Sequence, residues 1–455
     1  MEKMPLLNCL PKLQDRVTFT KQFTTIPNLR KDGTKQERII ETDKIKTEFF
    51  LGLSRHYYFC EHFLTNMMLS YSVRSSESLI KKLKDNKGLN IDERIALIED
   101  YIRYKPAVYG SYLMGIAGCG KTTIIKLLCS LFPLTIPHPE FGLTQVPVLL
   151  VQTPHRGSRI DLCKAIISEL GSVTKNKYKE ESKRYTEYEL TEFVRILCIT
   201  HLIGTIILDE IQDLKGKGKG TDPSQQTLDF IKYISNRIGV PFVFVGSTEA
   251  KSLLFKTFQL ATRNQGFIWD RLEYNIDPKS EWSHFMNSLF KLQVLKGNQQ
   301  ITPELTRLYH HFTQGVPRML SILHCEAQKI ALHYNREEIE PIDLYTVAES
   351  LFNSTDYAIE GIRNYEVEIL AKYSDLLDIQ NFKHPEKNEQ KESSHRKSTQ
   401  QESKTNSKHN PPTSDESILP SPLIELTKNC KTASEIRTMF IENKIIKSIP
   451  ELIES

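Results

Sequence analysis

The run Gly115-Ile116-Ala117-Gly118-Cys119-Gly120-Lys121-Thr122 fits G-x-x-x-x-G-K-[ST] without a mismatch, between the apolar stretches Tyr112-Leu113-Met114 and Ile124-Ile125-Lys126-Leu127-Leu128. A strand entering such a loop and a helix leaving it give the pattern its physical meaning. The glycines let the backbone wrap closely, so that successive N–H groups and a helix N-terminus face an anion. Residues Gly115, Ile116, Ala117, Gly118, Cys119, Gly120, Lys121, Thr122 and Thr123 are therefore expected to hold the phosphates of ATP. Lys121 supplies a point charge at the β/γ oxygens, and the Thr122 hydroxyl is placed to ligate Mg²⁺.

Some ninety residues downstream, Thr205-Ile206-Ile207-Leu208 reads as a fully buried strand ending in Asp209-Glu210, a Walker B pattern. A carboxylate at the end of such a strand holds Mg²⁺, and a second beside it can polarise the attacking water. Asp209 is assigned to the metal and Glu210 to the water.

The length prior allows two to four domains. A formal charge of +4 announces no global nucleic-acid field, so local basic clusters must carry any such argument. The eight cysteines show no C-x-x-C pairs, which argues against structural zinc and against a secreted disulfide framework. Without a basic-then-apolar start or a stretch of membrane-spanning length, the chain is expected to be cytoplasmic, with no membrane contact.

Residues 1–50 are polar with little periodicity, whereas 49–71 and 94–102 read as helices. The centre then alternates: strand 112–114, helix 121–131, strand 147–152, helices 159–170 and 186–201, strand 205–208, helix 224–238, strand 241–245. Such alternation predicts a parallel sheet covered by helices. After the last strand, Ser247 is the candidate γ-phosphate sensor, although it serves equally well as an N-cap for the following helix. Arg318 opens a helical stretch from which its guanidinium can reach the nucleotide.

Together these features resemble the AAA+ ATPases over roughly residues 106–350, which implies an α/β three-layer αβα sandwich of the P-loop NTPase type followed by a small helical lid. Within that group, Leu208-Asp209-Glu210-Ile211-Gln212-Asp213-Leu214 followed by Val245-Gly246-Ser247-Thr248 resembles TnsC, the ATPase regulator of multi-protein transposons. Gly239-Val240-Pro241, Gln265-Gly266-Phe267-Ile268-Trp269-Asp270 and Ala371-Lys372-Tyr373-Ser374-Asp375-Leu376 extend the likeness. The resemblance implies an ATP-dependent switch that forms a ring or helical filament on double-stranded DNA, reads a target-selector protein and recruits transposase subunits. A site between subunits needs an arginine from the neighbour; Arg263 is the first choice and Arg271 the second. In such proteins the element after the second core strand faces DNA, so Arg156, Arg159, Lys175 and Lys177 would track phosphates. The tract Lys215-Gly216-Lys217-Gly218-Lys219-Gly220 is a further cationic element and reads first as a loop.

The expected division is a largely helical N-terminal extension over 1–105 with a possible adaptor or target-selector contact, a nucleotide-binding core over 106–275, an α-helical lid with following helices over 276–378, a disordered polar linker over 379–420 and an amphipathic tail over 421–455. The linker composition argues for disorder. A tethered tail suits capture of a transposase partner, or folds back on its own core. Two other readings compete: an AAA+ scaffold acting on protein partners without DNA, and a DNA motor, for which no strand-separation motif is evident. A nuclease is weakest, since no second acidic cluster for two metals is evident.

Overall fold

The computed structural model describes residues 5–12, 14–74, 82, 85, 91–102, 110–139, 143–155, 158–214, 223–250, 254 and 264–364. The segments 371–376, 379–420 and 421–455 and the 215–220 tract lie outside them. At the centre is a five-stranded, all-parallel sheet in the order β4-β5-β6-β1-β7, with β1 Gly110–Gly115, β4 Val148–Gln152, β5 Thr205–Asp209, β6 Phe242–Gly246 and β7 Asn264–Trp269. Every residue of β5 and β6 is buried, as unbroken apolar strands in a sheet covered on both faces require. The expected parallel sheet is present.

Two elements go beyond the alternation read from sequence. β7 adds a fifth strand beside β1, although Asn264-Gln265-Gly266 interrupts its apolar run. β2 Ile136–His138 and β3 Leu143–Gln145 form a separate antiparallel pair. The helix expected to end at 170 runs to Thr174, where Lys175 closes it in a left-handed conformation at φ 58.

The N-terminal residues depart most from expectation. α1 Pro5–Asn8 and α2 Arg16–Gln22 place Leu6, Leu10, Phe19 and Phe23 in the core around the sheet. α3 Lys35–Glu48, opened by a Thr34/Glu37 capping box, instead joins a second core built on helices Glu281–Phe290, Pro303–Thr313, Pro317–His333 and Pro341–Leu351, the lid. α4 Ser54–Arg74 returns to the first core through Phe59, Phe63, Met67 and Tyr71. The two crossings meet: Thr25 and Phe50 exchange N–H···O=C bonds of 2.7 and 3.0 Å. The inward positions of α3, Arg38, Thr42 and Ile45, have helical spacing but only one is apolar, which hides the periodicity.

α3 is fastened to the lid by charge. Arg38 is 5% exposed, pairs with Glu337 through both guanidinium nitrogens and donates from Nε to the Val294 carbonyl at 3.0 Å. Asp43, Cys325 and Glu326 converge; the Lys46 and Lys329 ammoniums bridge the two acids at 2.6–3.1 Å, which already neutralises the cluster. The lid meets the core connection at Gly315 (φ 78), where a Cβ would lie 1.9 Å from the Leu272 carbonyl oxygen. Gly315→Ala is expected to cost about 1–3 kcal/mol, read as a lower urea midpoint.

Candidate nucleotide site

The glycine-rich loop leaves β1 at Gly115, where a Cβ would stand 2.2 Å from the Trp269 carbonyl oxygen. Gly118 and Gly120 take φ 82 and 91, the region that glycine enters at little cost. Gly120 is the N-cap of helix Lys121–Ser130 and offers no capping side chain, so the first N–H groups of that helix are free to face an anion. Lys121 Nζ donates to the carbonyls of Gly115 and Ile116 at 2.8 and 3.0 Å, which holds the ammonium over the loop.

Asp209 ends β5 and is 5% exposed. Burial raises its carboxyl above the ordinary range; the charge of Glu210 adds to this, while the Glu210 N–H (3.0 Å to Oδ1), the Thr122 hydroxyl and Lys121 oppose it. Thr122 and Asp209 thus present hard oxygen donors side by side at the head of the loop helix. That donor set fits Mg²⁺, which binds through one or two protein oxygens together with substrate phosphates.

Glu210 adopts φ 55, rare for a residue with a side chain, as the chain turns out of the strand into the 3₁₀ turn Ile211–Leu214. Ser247 is 8% exposed; its N–H donates to Gln212 Oε1 at 3.0 Å and its hydroxyl, buried, has no partner. Ser247 also accepts from Ala250 N–H through its carbonyl at 3.1 Å. Arg318 stands at the start of lid helix Pro317–His333, its N–H donating to the Gly118 carbonyl at 3.2 Å.

A cavity of about 740 Å³ is lined by the loop residues 117–123, Glu210, Gln212, Ser247 and Arg318. Its remaining wall was not foreseen. Lys46, Phe50 and His56 from the N-terminal crossing also line it. Phe50 stacks on His56 at 5.1 Å and lies 3.4 Å from where a Cβ of Gly120 would be. His56, 3% exposed, accepts the Leu53 N–H at Nδ1 (3.0 Å) and is pushed down to about 3 by burial, with the Arg55 charge adding. No motif marks these residues, and only Phe50 in its apolar neighbourhood carried a signal.

The other candidates lie elsewhere. Arg271 is tied within its own chain, its Nη1 donating to Gln314 Oε1 (3.2 Å) and the Ile362 carbonyl (3.5 Å); Arg263 lies outside the described residues. Arg159 forms an ion pair with Glu187, while Lys175 and Lys177 are exposed beyond the helix end. Arg156 lies outside the described residues, but its neighbour His155 contacts Asp213 at 2.8 Å, which links this loop to the turn after Glu210.

Residues 110–254 match the family model described as AAA domain. No curated protein sequence matches the chain. Among solved structures, the ORC2 protein of Aeropyrum pernix in its ADP form is 15% identical with a TM-score of 0.35, over 58% of this chain and 70% of that one. The ORC1 protein of Aeropyrum pernix in complex with DNA is 17% identical with a TM-score of 0.37, over 60% and 67%. The RuvB Holliday junction branch migration motor of Thermotoga maritima is 16% identical with a TM-score of 0.34, over 64% and 83%. Among the described residues no helix is long and apolar enough to cross a membrane. With their loop, their Asp209-Glu210 strand end and their parallel sheet, residues 110–254 have the AAA+ P-loop NTPase fold and match the AAA-domain model.

Proposed function

We propose that this protein is an ATP-dependent regulator of DNA transposition. It oligomerises on duplex DNA in its ATP state, links a target-selector protein to transposase subunits, and is reset by hydrolysis. The observation that carries the nucleotide half is the convergence of Lys121, Thr122, Glu210, Ser247 and Arg318 on one cavity, with Asp209 held against the Thr122 hydroxyl. Bound Mg²⁺, held by Thr122 and Asp209, would neutralise phosphate charge. Lys121 binds the β/γ oxygens, and Arg318 reaches the phosphates from the lid. Glu210 orients a water and takes its proton as the oxygen attacks the γ-phosphorus; the bond to the β-bridging oxygen breaks, giving ADP and phosphate. Ser247, whose buried hydroxyl has no partner, would hydrogen-bond the γ-phosphoryl. The trans-acting arginine is assigned to Arg263, ahead of Arg271, which already has partners in its own lid.

For the DNA half, support comes from the TnsC-like wording at 208–214 and 245–248, the exposed Lys175 and Lys177 beyond the end of helix Arg159–Thr174, and the His155–Asp213 contact with the turn after Glu210. The test is binding to duplex DNA with no nucleotide, ADP or a non-hydrolysable ATP analogue, at several salt concentrations. Large complexes should require the analogue and disappear with Lys121→Ala. Lys175→Glu/Lys177→Glu should weaken binding and reduce the salt slope by about two phosphate contacts. Tight nucleotide binding with no assembly on DNA would overturn this reading in favour of a protein-directed AAA+ scaffold.

A further inference from the structure

The Gln212 side chain stands between the two groups that matter most to turnover. Its Nε2 donates to Glu210 Oε2, and its Oε1 accepts the Ser247 N–H at 3.0 Å. The orientation of the amide follows from its neighbours: a backbone N–H can only donate and an ionised carboxylate can only accept, so the oxygen faces Ser247 and the nitrogen faces Glu210. The amide also lies close against the end of β6, since a Cβ on Gly246 would stand 2.5 Å from its Oε1. Both Gln212 and Glu210 line the nucleotide cavity. The short 3₁₀ turn holds this arrangement in part through the Asp213 N–H, which donates to the Glu210 carbonyl at 2.9 Å.

We infer that Gln212 is a positioning residue that fixes the Glu210 carboxylate through one oxygen and couples it to the Ser247 turn. The inference rests on the reading of Glu210 as the water-activating base. With Oε2 engaged, Oε1 remains the oxygen to meet the water. A shift of the Ser247 turn on phosphate binding would reach Glu210 through a single amide, so sensor and base would move together.

The experiment measures ATP turnover, alongside nucleotide affinity by direct titration, for Gln212→Leu, Gln212→Glu, Glu210→Gln and Glu210→Gln/Gln212→Leu. Gln212→Leu should lower kcat about tenfold, the low end of general-base effects, and leave nucleotide affinity within twofold. Gln212→Glu, which keeps an acceptor for Ser247 but replaces the donor to Glu210 with a like charge, should lower kcat at least as far. In the Glu210→Gln background the leucine should cause no additional loss. An unchanged kcat in both single variants would overturn the inference, as would an equal tenfold loss with and without the Glu210 carboxylate, the mark of a purely structural part. If Glu210→Gln alone turns over at the wild-type rate, the reading of Glu210 fails, and the assignment of Gln212 falls with it.

Discussion

Glu210→Gln is expected to bind ATP with unchanged affinity and to hydrolyse it about 10²–10⁴ times more slowly, measured as phosphate release beside a direct binding titration. Glutamine keeps the shape of the side chain and loses only the ability to take a proton. The groups expected to hold nucleotide and metal, Lys121, Thr122 and Asp209, are left in place, and Asp209 still receives the backbone N–H of residue 210. Binding and chemistry should therefore separate. A parallel fall in affinity would instead make Glu210 a metal or phosphate ligand and leave the water without its base. On the proposed function the same variant should keep its assemblies on DNA after ATP is added, because reset depends on the step it has lost.

The loop and the strand end were legible because their chemistry needs residue types at fixed spacing. A glycine must stand where φ is 82 or 91, and Lys121 and Thr122 must follow at once. Strands β5 and β6 were legible because five consecutive buried positions leave an apolar signature. β7 was not, since its first half is polar and glycine-containing and it is secured by pairing with β1 rather than by its own pattern. The wall of the cavity formed by Phe50 and His56 was least legible. It depends on α3 docking to the lid through Arg38, a contact nearly three hundred residues apart in sequence with Glu337, and no local periodicity encodes such a pair. Gln212 was visible only as part of a family-like word; its two hydrogen bonds emerge when β5 and β6 lie side by side.

The fold should lose stability steeply in mild acid, and the lid should report it. His324 is fully buried: Nδ1 accepts from the Tyr309 hydroxyl at 2.8 Å and Nε2 donates to the Leu292 carbonyl at 3.0 Å, so the ring is a neutral tautomer with both nitrogens satisfied. Burial pushes it down to about 4, and His56 to about 3. Both return to an ordinary value of 6.5 on unfolding, so below that pH the unfolded chain takes up two protons that the folded chain refuses. Their stabilising contribution is complete above pH 6.5 and drains away toward pH 4, at about 1.4 kcal/mol per pH unit for each ring. Asp343 works the other way: burial raises its carboxyl to about 6, so from there downward the folded state gains a proton first and recovers part of the loss. His310 and His311, partly exposed, are also pushed down, with burial the larger cause and the Arg363 charge adding, and reinforce the two buried rings. His324, His56 and Asp343 alone give a net loss by pH 5 on the order of 3 kcal/mol, a sizeable share of the total for a domain. The two tryptophans separate the regions, Trp282 lying in the lid and Trp269 at the end of β7. Urea unfolding of Trp269→Phe, followed through Trp282 at pH 7.5, 6.5, 5.5 and 5.0, should show a flat midpoint above 6.5 and a falling one below it. His324→Gln should start less stable but show a shallower fall; a midpoint independent of pH down to 5 would mean that these imidazoles accept protons in the folded chain.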